Sequence, residues 1–429
     1  MIGKRAPVFF GWWVVATAAV GLCLSPAPLV VFSFSVFLKP LAQELHSSRA
    51  TISLAFTLFN LMVGICSPVV GKLTDRFPAR KVILPCTVAC ILILFASNAL
   101  SAKLWEIYAF YLALGIFGSG TSIVPYSKVV SQWFDRRRGI AFGLTAVGGG
   151  MAAMIMPSLA QLLIIKVGWR LAYSTMAGLT LLVAIPLIGA FLRERPEDLR
   201  TAPDGAPQRP MGAQANDSGV SWREARHGAT IWLVLCAYCL VGTGIHGCFI
   251  HMSALLSDRG SSLRVAALAS SLIGAGAMTG RLLSGYLLDR FFAPRVAALI
   301  FGAVAFAMAS LGIRGEIGFA LPAAFMVGLG LGAEGDIVAY LISRYFGLRS
   351  FGEIYGYAFS AFVLTGALGP LLMGIGFDRT GSYLFPLMAF SAAALLATIF
   401  VSFLGPYRYA ASEDAARPMA PHLQPTEES

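Results

Sequence analysis

The sequence predicts an all-α membrane protein with twelve transmembrane helices in two pseudo-symmetric six-helix halves. Three observations carry this expectation. Hydrophobic residues make up 57% of the 429 and charged residues only 12%, with a mean hydropathy of +0.75. An average soluble domain carries about twice that charge fraction. Apolar runs of about 20 residues recur along the chain, each long enough to cross a ~30 Å hydrocarbon core. The chain also repeats itself at an interval of about 213 residues, the mark of a duplicated architecture. Gly71-Lys72-Leu73-Thr74-Asp75-Arg76-Phe77 returns as Gly285-Tyr286-Leu287-Leu288-Asp289-Arg290-Phe291. Gly118, Gly120 and Phe134 return as Gly330, Gly332 and Phe346, and Gly143 and Pro157 as Gly356 and Pro370.

The helices are expected near 11–38, 51–71, 82–102, 105–131, 140–165 and 171–192, then 231–256, 265–288, 295–313, 317–344, 354–377 and 383–404. The first is too long for a signal peptide and lacks a small-residue cleavage site behind it. It carries Pro26 and Pro28 in its middle. Proline there removes backbone bonds and kinks the helix, which is tolerated only against protein or a watery cavity. The kink either lines a path or serves packing. Helix 4 carries Ser122 and Tyr126 one turn apart, a polar stripe that could face a cavity. Lys128 is close enough to the inner surface to snorkel. Helix 5 carries Gly148-Gly149-Gly150, which permits close packing on a neighbour. It has neither the preceding strand nor the lysine of a phosphate-binding loop.

Residues 193–230 are rich in Pro, Gly, Arg and Asp and show no apolar period, so they read as a linker. The expected domains are therefore an N-terminal half at 1–192, a cytoplasmic linker at 193–230, a C-terminal half at 231–405 and a polar cytoplasmic tail at 406–429. With both termini in the cytoplasm, 21 of the 32 Lys and Arg residues fall inside and nine outside, which sets the orientation. The expected location is the cell (inner) membrane, and the expected state a monomer. The same loop placement explains the net charge of +11 without nucleic acid. The seven cysteines lie in apolar segments and read as packing residues. No cofactor, metal cluster or nucleophile–base set stands out, so an enzyme is not expected.

The turn between helices 2 and 3, Gly71-x-Leu73-x-Asp75-Arg76-x-x-x-Arg80-Lys81, resembles the loop signature of the major facilitator superfamily. Pro78-Ala79 stand where its second glycine is usual. Asp75 can cap the next helix or accept a bond from an arginine across the half-interface. Asp75, Arg76 and their copies Asp289 and Arg290 are thus gating candidates. Trp133-Phe134-Asp135-Arg136-Arg137-Arg138-Gly139-x-Ala141-x-Gly143 is similar to the signature of the monocarboxylate transporter family and its oxalate/formate exchanger relatives. Gly11-Trp12-Trp13 and Ser35-Val36-Phe37-Leu38-Lys39 of helix 1 are also similar. The resemblance spans roughly residues 10–405, and it implies alternating access to a central site.

The places where the halves differ are the candidate chemistry. Arg281 in helix 8 answers to Ser67 in the first half. It lies about eight positions from the cytoplasmic end, roughly 12 Å deep. An arginine there costs at least ~2.5 kcal/mol and marks a functional site by default. Its fork matches a carboxylate, and the resemblance implies the same role, since monocarboxylate transporters use a helix 8 arginine for the substrate carboxylate. A structural ion pair with Glu334 or Asp336 is the alternative. Those acids, in helix 10, answer to Ser122 and Val124. They are proton-relay candidates, cation sites or partners of Arg281. His246, His251 and Asp258 in the outer part of helix 7 could also carry protons. Tyr126, Ser122 and Tyr340 are candidate substrate contacts, and Tyr355, Tyr357 and Phe359 could wall the cavity.

The family's animal members carry a helix 1 lysine where this chain aligns Phe32, and an acid where it has Ala277. The exchangers carry a helix 11 lysine that is absent here. One cation would undercompensate a dianion. A small organic anion, a monocarboxylate or larger amphipathic acid, therefore fits better than oxalate. The departures also count against simple proton–lactate symport. The expected function is proton-coupled uptake of such an anion, with protons and the lipid bilayer as the other partners. The alternative is proton-antiport efflux of drugs or hydrophobic metabolites. The Gly366-x-x-Gly369-Pro370 run in helix 11 keeps that alternative open.

Overall fold

The structure is a computed structural model, and it describes residues 9–101, 103–199, 201–205, 218–313 and 317–409. Among these residues it is helical apart from turns and one isolated bridge, Gly219 to Gly347. The first crossing is α1 (Gly11–Leu24) and α2 (Pro26–Glu44); the second and third are α3 (Arg49–Arg76) and α4 (Ala79–Ala96). The fourth is α5 (Leu104–Gly118) and α6 (Ile123–Trp133). The fifth begins α7 (Arg138–Leu179), and the sixth ends in α8 (Ile185–Phe191). After a short linker helix, α9 (Trp222–Ala225), come α10 (Ala229–Asp258), α11 (Leu263–Arg290), α12 (Ala293–Ile313) and α13 (Ile317–Phe346). The eleventh crossing is α14 (Phe351–Gly366) and α15 (Leu368–Thr380), and the twelfth is α16 (Leu384–Ser402).

Eleven helical stretches are long and apolar enough to cross a membrane. One of them, Arg138–Phe191, has 54 residues. At 1.5 Å per residue that is about 80 Å, far more than one bilayer core. The chain turns inside it at Gly168, whose φ of +79° suits glycine. That stretch is two crossings, which makes twelve.

Three crossings that the sequence reading drew as single helices are interrupted, although the kink in the first was expected. Crossing 1 breaks at Ser25, in extended backbone (φ −64°, ψ 143°), with Pro26 opening the next helix. Proline is favoured there because its missing N–H would be unpaired in any case. Crossing 4 breaks at Gly118-Ser119-Gly120-Thr121-Ser122, where a turn of tighter helix ends in extended Ser122 (ψ 179°). Crossing 11 breaks at Ala367, two residues before Gly369-Pro370. Ser25 and Ser122 are extended and buried, and non-helical backbone at this depth needs protein or water around it, so these two breaks mark the inside of the bundle.

The two halves meet along two helix pairs, α3 against α14 and α11 against α7. Their close approach depends on glycines repeated in both halves. A Cβ on Gly352 of α14 would sit 2.5 Å from the Gly71 carbonyl of α3, and one on Gly139 of α7 would sit 2.5 Å from the Gly285 carbonyl of α11. These contacts cluster at one end of the bundle, the end that carries the basic loops. The buried apolar residues agree. One cluster runs from the second half into α1, α6 and the start of α7; a separate one fills the opposite end of the first half.

Within the second half, α11 lies flat on α13. Gly280 faces the Leu329 backbone, while Gly274 on the same helix has nothing within 4 Å. Gly280→Leu is therefore expected to cost about 1–3 kcal/mol or more by overpacking and to lower the unfolding temperature of the purified protein. Gly274→Leu should leave it unchanged within error. Equal behaviour of the two variants in a thermal-unfolding assay would contradict this packing.

Candidate functional site

The basic end is joined by two equivalent carboxylates. Asp75, at the end of α3, accepts from the backbone N–H groups of Gly352 (2.9 Å) and Glu353 (2.7 Å) at the start of α14. Asp289, at the end of α11, accepts from Gly139 (2.6 Å) and Ile140 (2.9 Å) at the start of α7. The first N–H groups of a helix have no partner within it and carry partial positive charge. Each acid thus caps a helix of the opposite half. The next helix in sequence, the expected alternative, is not the one capped.

The charged partner of Asp75 is Lys128 (2.9 Å), and among the described residues no arginine pairs with it. Lys128 is buried, and its Nζ also donates to the Leu348 carbonyl at 2.5 Å. It does not snorkel, because its partners stand at the half-interface. Arg344 of α13 pairs with Asp135 across the halves at 2.7 Å and donates to the Asp135 carbonyl at 2.5 Å. Arg138 donates to the Phe134 carbonyl at 2.8 Å. The structure places Arg76 and Arg290 differently: both are exposed, over the rings of Phe77 and Tyr286. The ring of Tyr340 lies 5.1 Å from Arg344, so this residue belongs to the basic-end network.

The linker takes part. Asp204 accepts from the backbone N–H groups of Asp135 (2.9 Å) and Arg136 (2.8 Å). The Trp133 indole donates to the Arg193 carbonyl, and Glu194 accepts from the Ala79 N–H at the start of α4 (2.7 Å). On the other half, Val220 N–H donates to Phe346 and Leu348 N–H to Ser218, each at 3.0 Å. Trp222 stacks on Tyr357 at 4.1 Å, which takes Tyr357 out of any central wall.

Deeper in the bundle lies a second cluster. Arg281 is half-buried on α11, and its Nη1 donates to the Ala146 carbonyl of α7, in the other half. Gly149 and Gly150 leave room for it: a Cβ there would stand 3.6 and 3.3 Å from Nη1. Glu334 and Asp336 are buried on α13, each with one carboxylate oxygen that has no hydrogen-bond partner. Asp336 Oδ2 faces Gly143 of α7, and Glu334 Oε2 faces Gly242 of α10. Both acids act electrostatically on Arg281, Asp336 the more strongly, yet neither forms an ion pair with it within 4.0 Å. Tyr238 and Tyr355 are buried within electrostatic reach of the acids.

The remaining candidates lie elsewhere. The Ser122 hydroxyl is buried and unpaired in the break between α5 and α6. The Tyr126 hydroxyl meets Ser25 Oγ at 3.3 Å and packs on Gly21, so it joins the breaks of crossings 1 and 4. His251 Nε2 meets the Pro370 carbonyl at 3.1 Å, and Asp258 accepts from the Tyr383 hydroxyl at 3.3 Å. His251 is nine residues beyond Gly242 on α10, so roughly 13 Å along the axis. The structure therefore gathers Arg281, Glu334 and Asp336 and leaves His251 and Asp258 apart from them.

With this geometry in hand, the chain can be compared with known proteins. Residues 18–370 match the family model described as Major Facilitator Superfamily. The chain belongs to the Major Facilitator Superfamily. Among curated relatives it is 28% identical to mouse (Mus musculus) Monocarboxylate transporter 11 over 408 residues, covering 91% of this chain and 85% of the relative. It is 30% identical to Monocarboxylate transporter 13 of Bos taurus over 285 residues, 65% of this chain and 62% of that one. Among solved structures, the proton:xylose symporter XylE has a TM-score of 0.73 at 14% identity, covering 95% of this chain and 98% of that one. The human organic anion transporter MFSD10 has a TM-score of 0.66 at 16% identity, covering 92% and 100%. As a member of this superfamily, the protein is a multi-pass membrane transporter and not an enzyme.

Two expectations follow from the capping geometry. Asp289→Ala leaves two helix N–H groups without their carboxylate and should cost about 1–3 kcal/mol, read as a lower unfolding temperature. Glu194 lies in the loop after α8, and burial pushes its carboxyl up to about 7 against the pull of the Ala79 N–H. A raised folded-state pKa means the fold holds the proton more tightly than the unfolded chain does. Its contribution to stability is therefore complete below the unfolded value of about 4.5 and is lost as pH rises through about 7. Glu194→Gln should flatten that part of the stability–pH curve; an unaltered slope would remove Glu194 as its source.

Proposed function

We propose that this superfamily member carries a small organic anion, a monocarboxylate, by alternating access and in company with protons. The observation that supports it most is Arg281. It stands between the halves, half-buried; among the described residues its side chain is tied only to a carbonyl of α7 and has no ion pair within 4.0 Å. A carboxylate can displace a neutral carbonyl from a guanidinium because it adds an opposite charge and a second, parallel N–H···O bond. Two of the relatives named above are monocarboxylate transporters, and one structural neighbour is an organic anion transporter.

Charge balance links the acids to protons. Arg281 with both acids ionised has a formal charge of −1, which repels a monoanion. Like charges ~6 Å apart cost roughly 3 kcal/mol at an effective dielectric of 20. With both acids protonated the charge is +1, and a bound monoanion neutralises it. After release, loss of one proton leaves Arg281 balanced by one carboxylate. The cycle then moves one proton with each monoanion. The basic end is the cytoplasmic one, so the conformation described here is closed on the cytoplasmic side. The protein acts as a monomer in the cell inner membrane, with both termini and the linker inside.

Uptake of labelled monocarboxylates into proteoliposomes tests this. An inward acid gradient should accelerate uptake. Arg281→Lys, which loses the fork, should lower uptake at least about tenfold. Glu334→Gln with Asp336→Asn should abolish the response to the gradient. Arg281→Ala with full uptake of every transported acid would refute the carboxylate assignment.

A further inference from the structure

A cavity of about 290 Å³ lies at the basic end, beside the Asp75–Lys128 pair. Its walls come from three separate segments: Arg76 and Gln132 of the first half, Glu194 and Arg195 of the linker, and Arg349 of the second half. It exists only where these segments meet. A water occupies ~30 Å³ of liquid, so the space exceeds what one or two bridging waters need.

The acids of this cavity are engaged. Asp75 is bound to Lys128 and to two backbone N–H groups. Glu194 accepts from Ala79 N–H, and Asp198 from Arg195 N–H. Two of its cations are less committed. Arg76 lies over the Phe77 ring, and the exposed Arg349 side chain has no hydrogen bond or ion pair among the described residues. Gln132 is 4% exposed, and its Oε1 is buried without a partner. The two ends of an amide exchange by a simple flip, so this side chain can present N–H donors to the cavity. Two guanidinium groups from opposite halves, neither in an ion pair among the described residues, line the cavity together with this buried amide, and the set matches a tetrahedral oxyanion.

We propose that this cavity binds a phosphoryl anion, and that it does so only while the basic end is closed. Such a ligand stabilises the closed arrangement by its differential affinity for it. The phosphoryl group can belong to a free anion or to a lipid headgroup. The inference concerns the basic end alone and is independent of the cargo of the central cluster.

Thermal unfolding of the intact purified protein tests it. Sodium pyrophosphate is titrated in detergent against sodium chloride of equal ionic strength. In parallel, nanodiscs of phosphatidylcholine are compared with nanodiscs that also contain phosphatidic acid. A saturable rise in unfolding temperature with pyrophosphate assigns a free anion. A rise with phosphatidic acid alone assigns a headgroup. In either case Arg349→Ala should weaken the response about tenfold or more, and Gln132→Leu should weaken it as well. No stabilisation beyond the chloride control, or wild-type responses from both variants, overturns the site. Ser284→Cys, at a position buried in α11, reports closure. Its maleimide labelling, above the background of the seven native cysteines, should slow several-fold with the ligand. Unchanged labelling overturns the link to the closed state.

Discussion

Two carboxylates hold this molecule in the arrangement described. Asp75 and Asp289 each end one helix and cap another that belongs to the opposite half. A helix N-terminus presents N–H groups that must find acceptors, and a carboxylate supplies two oxygens with a matching charge. Because the acids are copies in a duplicated chain, the two caps are related as the halves are. The glycines alongside them permit the backbones to approach, and the caps make that approach favourable. Neither device works alone, because a bulky residue would hold the helices apart and an uncapped helix end would keep its water.

The central cluster depends on this same interface. Closing α11 onto α7 brings the Ala146 carbonyl to Arg281 and lays its guanidinium along Gly149 and Gly150. The residues that close the basic end and the residues that face the proposed cargo therefore share two helices. A shift of one pair changes the surroundings of the other. The unpaired oxygens of Glu334 and Asp336 add to this coupling, since a buried unpaired acceptor is costly. A proton or a ligand donor relieves that cost.

The linker is more than a tether. Its first part binds the first half through Arg193, Glu194 and Asp204, and its last part binds the second half through Ser218, Val220 and Trp222. Asp204 reaches the same Asp135 that pairs with Arg344. Composition reports such a segment as polar and irregular. Its partners are backbone groups of other segments, which composition does not encode.

The sequence by itself determined the class of the molecule. Apolar runs, the duplicated Asp-Arg loops and the break at Pro26 depend on local composition and spacing, which any single chain displays. It also singled out Arg281, Glu334 and Asp336, because an unbalanced charge at membrane depth is visible wherever it occurs. The break at Ser122 was not legible in the sequence, which puts one continuous helix over 105–131. Only the tertiary structure decided who meets whom. Lys128 reads as a snorkelling side chain until Asp75 and Leu348 stand beside it. Arg76 and Arg290 share a motif with the capping acids yet point outward over aromatic rings. Tyr126, Tyr340, His251 and Asp258 each find a partner away from the central cluster. The reason is common to all of them: helical spacing gives the face of one helix, while a contact requires the position of a second.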